Sequence, residues 1–220
     1  MTRMLEMFPD AIVCVAEEEF ATYRRVVPRV LAHPDNILGL PPIQYWVLTQ
    51  NMQDETIVFV DDDIDKVAIV TGLKKRFTRE PQTIAAILQN AEQCARDVGA
   101  HLFGFNREPD VRKYSPFQPF TLRGWADCVV GVIGRDVLPK PRRRVCGGSV
   151  DWFLRGMAHD RIVWIDNRFS FIHDRFTGEG GNSINRSEEQ WAADLADLRA
   201  DWGSAIGFDK KGRRRLALKL

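Results

Sequence analysis

The chain lacks the features of a disulfide scaffold, a membrane protein or a nucleotide-binding P-loop protein. It has only four cysteines in 220 residues, Cys14, Cys94, Cys128 and Cys146, none in a C-x-x-C pair. Reduced thiols are therefore expected rather than a disulfide framework or a structural zinc site. No apolar run approaches the roughly 20 residues that span a bilayer. No apolar segment with a small-residue cleavage site opens the chain, so no secretory signal is expected, and a cytoplasmic location is. Neither the Walker A pattern nor G-x-G-x-x-G occurs, which disfavours a P-loop kinase and a dinucleotide-binding dehydrogenase. There is no internal repeat and no linker long enough to divide the chain. What is present, 45% apolar and 28% charged residues, suffices for the core of one soluble domain.

The formal net charge of +1 conceals an asymmetry. Residues 210–220 carry six basic residues and no acid, so residues 1–209 carry −5. A basic tail on a mildly acidic body suggests a polyanionic partner or a solubilising end. Short apolar runs at 11–16, 57–60, 101–105, 128–133 and 162–165 lack period-2 alternation and read as buried strands. Between them lie amphipathic stretches. Pro81 opens a helix that places Ile84, Ile87, Leu88, Ala91 and Cys94 on one face and ends near Gly99. Ser187 and Gln190 form a capping box before a helix carrying Trp191, Leu195, Leu198 and Trp202. Residues 151–157 read as a shorter helix after Gly147-Gly148, and Pro41 or Pro42 opens another through Gln50. Alternating strands and helices predict one doubly wound α/β domain. Residues 107–122, rich in proline and aromatics, read as a long surface loop of the kind that lines sites.

The sharpest feature is Ile57-Val58-Phe59-Val60 leading directly into Asp61-Asp62-Asp63. In extended backbone, residues two apart point the same way, so Asp61 and Asp63 can face one point. Their repulsion is relieved by a hard divalent cation, which can also bridge phosphate oxygens. Ligands of open α/β sheets sit outside the carboxyl ends of strands, where this triplet falls. A solvated acidic turn is the alternative. Downstream, His173 precedes the glycine-rich stretch 178–182. A neutral imidazole can complete such a metal site, and a glycine backbone can approach a diphosphate closely.

These residues, with Leu38-Gly39-Leu40-Pro41-Pro42-Ile43-Gln44-Tyr45-Trp46 and Gly147-Gly148-Ser149-Val150-Asp151-Trp152, resemble GT-A glycosyltransferases, most closely the TET/JBP-associated glycosyltransferases of phages. The resemblance spans roughly residues 10–185. It implies a single GT-A-like domain, 1–209, with a mixed, mainly parallel central sheet flanked by helices, followed by a basic tail, 210–220. It further implies a hexosyl- or N-acetylhexosaminyltransferase using a nucleotide-sugar, such as a UDP-sugar, with Mn²⁺ or Mg²⁺. Asp61 and Asp63 match the metal-binding carboxylates, and His173 matches the histidine joining them. Asp62 would lie towards the donor ribose or sugar, with Ala16 and Glu17 at the nucleotide base and Gly180 and Gly181 near the phosphates. Gln44 stands where relatives often have an arginine facing the nucleotide. Asp151 lies on the helix that carries the general base of inverting members. Where relatives have an acidic pair opening that helix this chain has Gly148-Ser149, so Asp127 and Asp136 remain alternative bases.

The same resemblance points to DNA as acceptor, through the hydroxyl of an oxidised methylpyrimidine such as 5-hydroxymethylcytosine. Basic clusters at 74–76 and 140–144, and a loop holding Arg107, Arg112, Lys113, Tyr114, Phe117 and Phe120, have the residue types that neutralise phosphates and stack on an extruded base. Competing readings are a GT-A transferase acting on a protein, glycan or small molecule, and a non-catalytic DNA-binding module of the same fold. A nucleotidyltransferase is disfavoured by the Glu17-Glu18-Glu19 turn, which stands where a glycine-rich or lysine-bearing loop is needed.

Overall fold

A computed structural model describes residues 2–51, 55–142, 147–173, 187–208 and 216–218. In chain order the elements are α1 (Thr2–Met7), β1 (Val13–Ala16), α2 (Phe20–Tyr23), β2 (Val30–His33), α3 (Leu40–Trp46), β3 (Thr56–Val60), β4 (Ile64–Thr71) and β5 (Lys74–Thr78). There follow α4 (Pro81–Val98), β6 (Leu102–Phe105), β7 (Phe120–Thr121), β8 (Val129–Ile133), α5 (Gly148–Asp160), β9 (Trp164–Asp166), β10 (Phe169–His173), α6 (Glu188–Trp202), β11 (Ile206–Phe208) and β12 (Leu216–Leu218). The last of these places three residues of the basic tail in an antiparallel pair with β11.

Four of the five apolar runs become strands of one sheet, in the order β3-β8-β6-β9-β7. The expectation of a mainly parallel sheet is corrected: only β6 and β9 pair parallel, and the other three neighbours are antiparallel. A continuous apolar run reports burial on both faces, and burial carries no information about strand direction. The first run departs too. β1 pairs in parallel with β2 in a separate two-stranded sheet, and only Val15 along it is buried.

One face of the central sheet is covered by α4 and by a second, antiparallel sheet, β10-β4-β5. Pro81 stands at the first turn of α4, and Gly99 closes it with φ 76°, a left-handed conformation glycine adopts without steric cost. Ile84, Ile87, Ala91 and Ala95 of α4 pack with Phe103 and Phe105 of β6, Ile64, Val67 and Ile69 of β4, and Phe171 of β10. The opposite face is covered by α5, whose Trp152 and Phe153 meet Leu102, Val130, Val132 and Ile165. Phe103 lies across its β8 neighbour Gly131, where a Cβ would fall 2.0 Å from the ring, so glycine is required there. Beyond α5, its Val150 and Leu154 pack with Leu195 and Leu198 of α6. Ser187 caps α6 by accepting from the Gln190 backbone N–H at 3.0 Å. The Gln190 side chain donates to Asp194 (2.8 Å), so only the first half of the expected capping box forms.

Among the described residues, two short links join the sheets directly. Asn167 and Arg168 turn β9 into β10, and Arg168 grips the buried Asp166 through Nε (3.0 Å), a terminal nitrogen (2.7 Å) and its own backbone N–H (3.0 Å). The other junction is the Asp61-Asp62-Asp63 link between β3 and β4.

Candidate active site

The Asp61 backbone N–H donates to the Cys128 carbonyl at 2.9 Å, extending the β3–β8 ladder by one step. The chain then turns through Asp62 and Asp63 into β4 of the second sheet. Because β8 runs antiparallel to β3, Asp127 stands just before its start, beside the end of β3. The Asp61 carboxyl is pushed up from 3.8 to about 8, first by burial and then by the charges of Asp63, Asp127 and Asp62. Sequence reasoning considered Asp127 only as a base. Its place in the acid cluster depends on antiparallel pairing, which a parallel reading of the sheet hides.

His173 reaches the same corner through the second sheet. It ends β10 opposite Ile64, the first residue of β4, and a bulge between Ile172 and His173 re-aims the side chain. Its Nδ1 lies 3.5 Å from Asp63 Oδ2. The fold thus brings Asp63 and His173 together from positions far apart in sequence, and puts Asp61 beside Asp63. Asp62 is exposed in the turn. Asp61 is half-buried and Asp63 exposed, so the corner gathers carboxylates and one imidazole, residue types that can serve a hard divalent ion, at the open edge between the sheets.

The other expected site residues are placed differently. Gln44 is 6% exposed on α3, so it is no solvated helix polar. Ala16 and Glu17 end β1 and begin a 3-10 turn; among the described residues no ladder joins β1 and β2 to the central sheet. Gly180 and Gly181, with the rest of the 178–182 stretch, lie outside the described residues. So do Arg143 and Arg144 of the 140–144 cluster. Asp136 sits at the far end of the sheet, with Oδ2 3.4 Å from His101 Nε2.

Asp151 is on the first turn of α5, next to α3; a Cβ on Gly148 would fall 2.4 Å from Pro41 Cγ, so the two helices meet closely. Its carboxylate is 1% exposed and directed towards α6. Oδ2 accepts from Arg155 Nε (2.8 Å) and Oδ1 from Trp202 Nε1 (2.7 Å). A general base must reach the acceptor's proton, and here both oxygens are engaged within the protein. The neighbouring cations are occupied as well. Lys140 pairs with Asp201, and Arg142 with Asp197 and Asp201, all on α6.

The 107–122 loop ties up its own charges, Arg112 with Asp110 and Lys113 with Glu108 at 2.9 Å each. Arg107 stacks on Trp125 (3.8 Å) and Phe120 on Trp164 (4.3 Å), while Phe117 is fully exposed. Lys74, Lys75 and Arg76 are exposed at the end of the β4–β5 hairpin away from Asp63, about 20–26 Å along the strand at 3.3 Å per residue. An open, mostly apolar cleft of about 300 Å³ lies against α3, lined by Pro42, Tyr45, Trp46 and Pro141 among others. None of the helices among the described residues is long and apolar enough to cross a membrane.

Against known families, residues 5–182 match the model described as TET-Associated Glycosyltransferase. No curated protein and no solved structure matches the chain.

Proposed function

The chain belongs to the TET-associated glycosyltransferase family, and from that premise we propose that it moves a sugar from a nucleotide-sugar to a hydroxymethylated pyrimidine in DNA, with a divalent metal at Asp61, Asp63 and His173. A glycosyltransferase of this family implies a nucleotide-sugar donor. Metal dependence rests on one observation, the Asp61 carboxyl pushed to about 8 among three other carboxylates with His173 3.5 Å from Asp63. When bound there, Mn²⁺ or Mg²⁺ would supply charge stabilisation to a departing diphosphate.

The chain's own residues have the remaining work. In the transfer, the acceptor oxygen forms a bond to the anomeric carbon as the bond from that carbon to the diphosphate oxygen breaks, and the hydroxyl proton passes to a carboxylate. For Asp151 to receive it, the acceptor hydroxyl must replace the Trp202 indole on Oδ1. Asp127, which borders the acid cluster and whose Oδ1 accepts from the Cys128 backbone N–H (3.0 Å) and thiol (3.4 Å), is the alternative base. We assign the donor side to Asp62 at the ribose or sugar, Ala16 and Glu17 at the nucleotide base, Gln44 on α3, and Gly180 and Gly181 near the phosphates.

The test is transfer from a panel of UDP- and other nucleotide-sugars to an oligonucleotide bearing 5-hydroxymethylcytosine, read by mass spectrometry, with Mn²⁺, Mg²⁺ or EDTA. The reading expects a hexose or N-acetylhexosamine mass increment on the base with metal and none in EDTA; donor hydrolysis without DNA modification would remove the acceptor assignment. The second reading, transfer to a protein, glycan or small molecule, is favoured by the pairing of Lys140, Arg142, Arg112 and Lys113 with carboxylates, which leaves fewer cations for phosphates. Duplex binding that weakens steeply with salt supports the DNA acceptor; affinity insensitive to salt supports the other.

A further inference from the structure

At the opposite end of the central sheet from Asp61 lies a second group of metal-ligand residues that transfer chemistry does not use. His101 precedes β6, and His159 and Asp160 are the last two residues of α5. One ligand atom from each lies within 4.8 Å of the others. Both imidazoles direct Nδ1 at the same carboxylate oxygen, Asp160 Oδ1, at 2.8 Å from His101 and 2.6 Å from His159. The two rings stand edge to face with centroids 5.4 Å apart. We propose that His101, His159 and Asp160 form a binding site for a zinc-class divalent ion, separate from the Asp61 cluster and independent of the function proposed above.

Three observations carry this. First, the donor set of two imidazole nitrogens and one carboxylate oxygen is borderline-soft and matches zinc, whereas the carboxylate-rich Asp61 cluster suits a harder ion. Second, the groups that orient ligands in such sites are in place. The free oxygen of Asp160, Oδ2, accepts the His101 backbone N–H at 2.9 Å, which fixes the carboxylate plane. The far nitrogen of His101, Nε2, faces Asp136 Oδ2 at 3.4 Å, the carboxylate–histidine–metal arrangement that sets tautomer and basicity. Third, the Asp160 side chain is only 4% exposed at the C-terminal end of α5, so its carboxylate is held in one place between the two rings.

His159 is 52% exposed, so the group opens to solvent on one side, and three protein ligands leave a fourth tetrahedral position for water. Occupancy would tie the start of β6 to the end of α5, the helix that carries Asp151 at its other end. The expected effect is thus on stability before activity.

The experiment uses tag-free full-length protein stripped of metal, in the Asp63→Ala background so that the other cluster is disabled. Titration with Co²⁺ should give one equivalent, with visible absorption bands of a four-coordinate nitrogen–oxygen site, and Zn²⁺ should displace it and raise the thermal midpoint. His159→Ala, at an exposed position, should weaken binding at least tenfold with the circular dichroism spectrum unchanged. His101→Gln should do the same. No saturable binding of either ion, or affinity within twofold of the background in both variants, overturns the proposal.

Discussion

Asp61 shows what a single residue position decides. Its folded carboxyl holds a proton up to about pH 8, while an ordinary aspartate releases it near 3.8. Between those values the folded chain binds more protons than the unfolded one, so metal-free stability falls as pH rises through the window, by at most about 1.4 kcal/mol per pH unit. Thermal midpoints in EDTA from pH 5 to 8 should show this decline, and Asp61→Asn should flatten it; parallel profiles for the two proteins would contradict the burial and repulsion assigned to Asp61. Asp151 presents the opposite case, a carboxylate enclosed with its donors. If Asp151 is the base, Asp151→Asn should lower kcat at least a hundredfold, within the range general-base catalysis supplies. Trp202→Phe, which removes the indole donor to Oδ1, should preserve kcat. If Asp127 is the base, Asp127→Asn takes the large loss instead, and steady-state kinetics of the three variants separate the assignments. Sequence made the acid triplet legible because a strand's period and its polar end are both local. It left Asp127 out of the cluster and Asp151 in the open, because each depends on a partner set by tertiary pairing: β3 on β8, and Trp202 at 51 residues' distance.

Among the elements, helices were the most readable, because their signals are short in range. Pro81 and Gly99 bound α4 as their backbone preferences require. The α5 helix runs on past residue 157 to Asp160, since nothing in Ala158-His159-Asp160 stops it, and it ends only at Arg161, held at φ 70°. Strands were legible as positions but not as directions. The β9–β10 turn was invisible as a structural device, although it holds the two sheets together. There the buried Asp166 carboxylate depends on a guanidinium that is itself 37% exposed, and removing that cation costs about 1.5–3 kcal/mol, the range of hydrogen bonds to charged groups. Arg168→Met should therefore lower stability by about that amount in urea unfolding. The double variant Arg168→Met/Asp166→Leu should recover part of it, because no uncompensated charge remains. Equal stability of wild type and Arg168→Met would contradict the role given to this pair.

At the scale of the molecule, the acid corner lies where two sheets meet. β3 delivers the triplet from the central sheet, β8 brings Asp127 beside it, and β10 of the second sheet returns His173 to the start of β4. The apolar runs predicted a doubly wound α/β domain; the layers of helix and sheet are there, but the doubly wound parallel arrangement is not. They could not foretell a central sheet with one parallel pair, because crossovers through α4 and α5 alternate with hairpin-like returns that leave no local trace. The distribution of charge was also partly hidden. The basic run at 140–144 read as a candidate phosphate-binding rim, yet Lys140 and Arg142 lie against the carboxylates of α6.

The proposed function requires the acid cluster between the sheets to hold a divalent ion needed for sugar transfer. Its most direct measurement is isothermal titration of the metal-stripped protein with Mn²⁺ at pH 8, comparing wild type with the Asp61→Asn/Asp63→Ala variant in a His159→Ala background that disables the second proposed site. One Mn²⁺ per chain should bind the protein with an intact triplet, with affinity lowered at least tenfold by the double substitution. Unchanged Mn²⁺ affinity after loss of both carboxylates would contradict it.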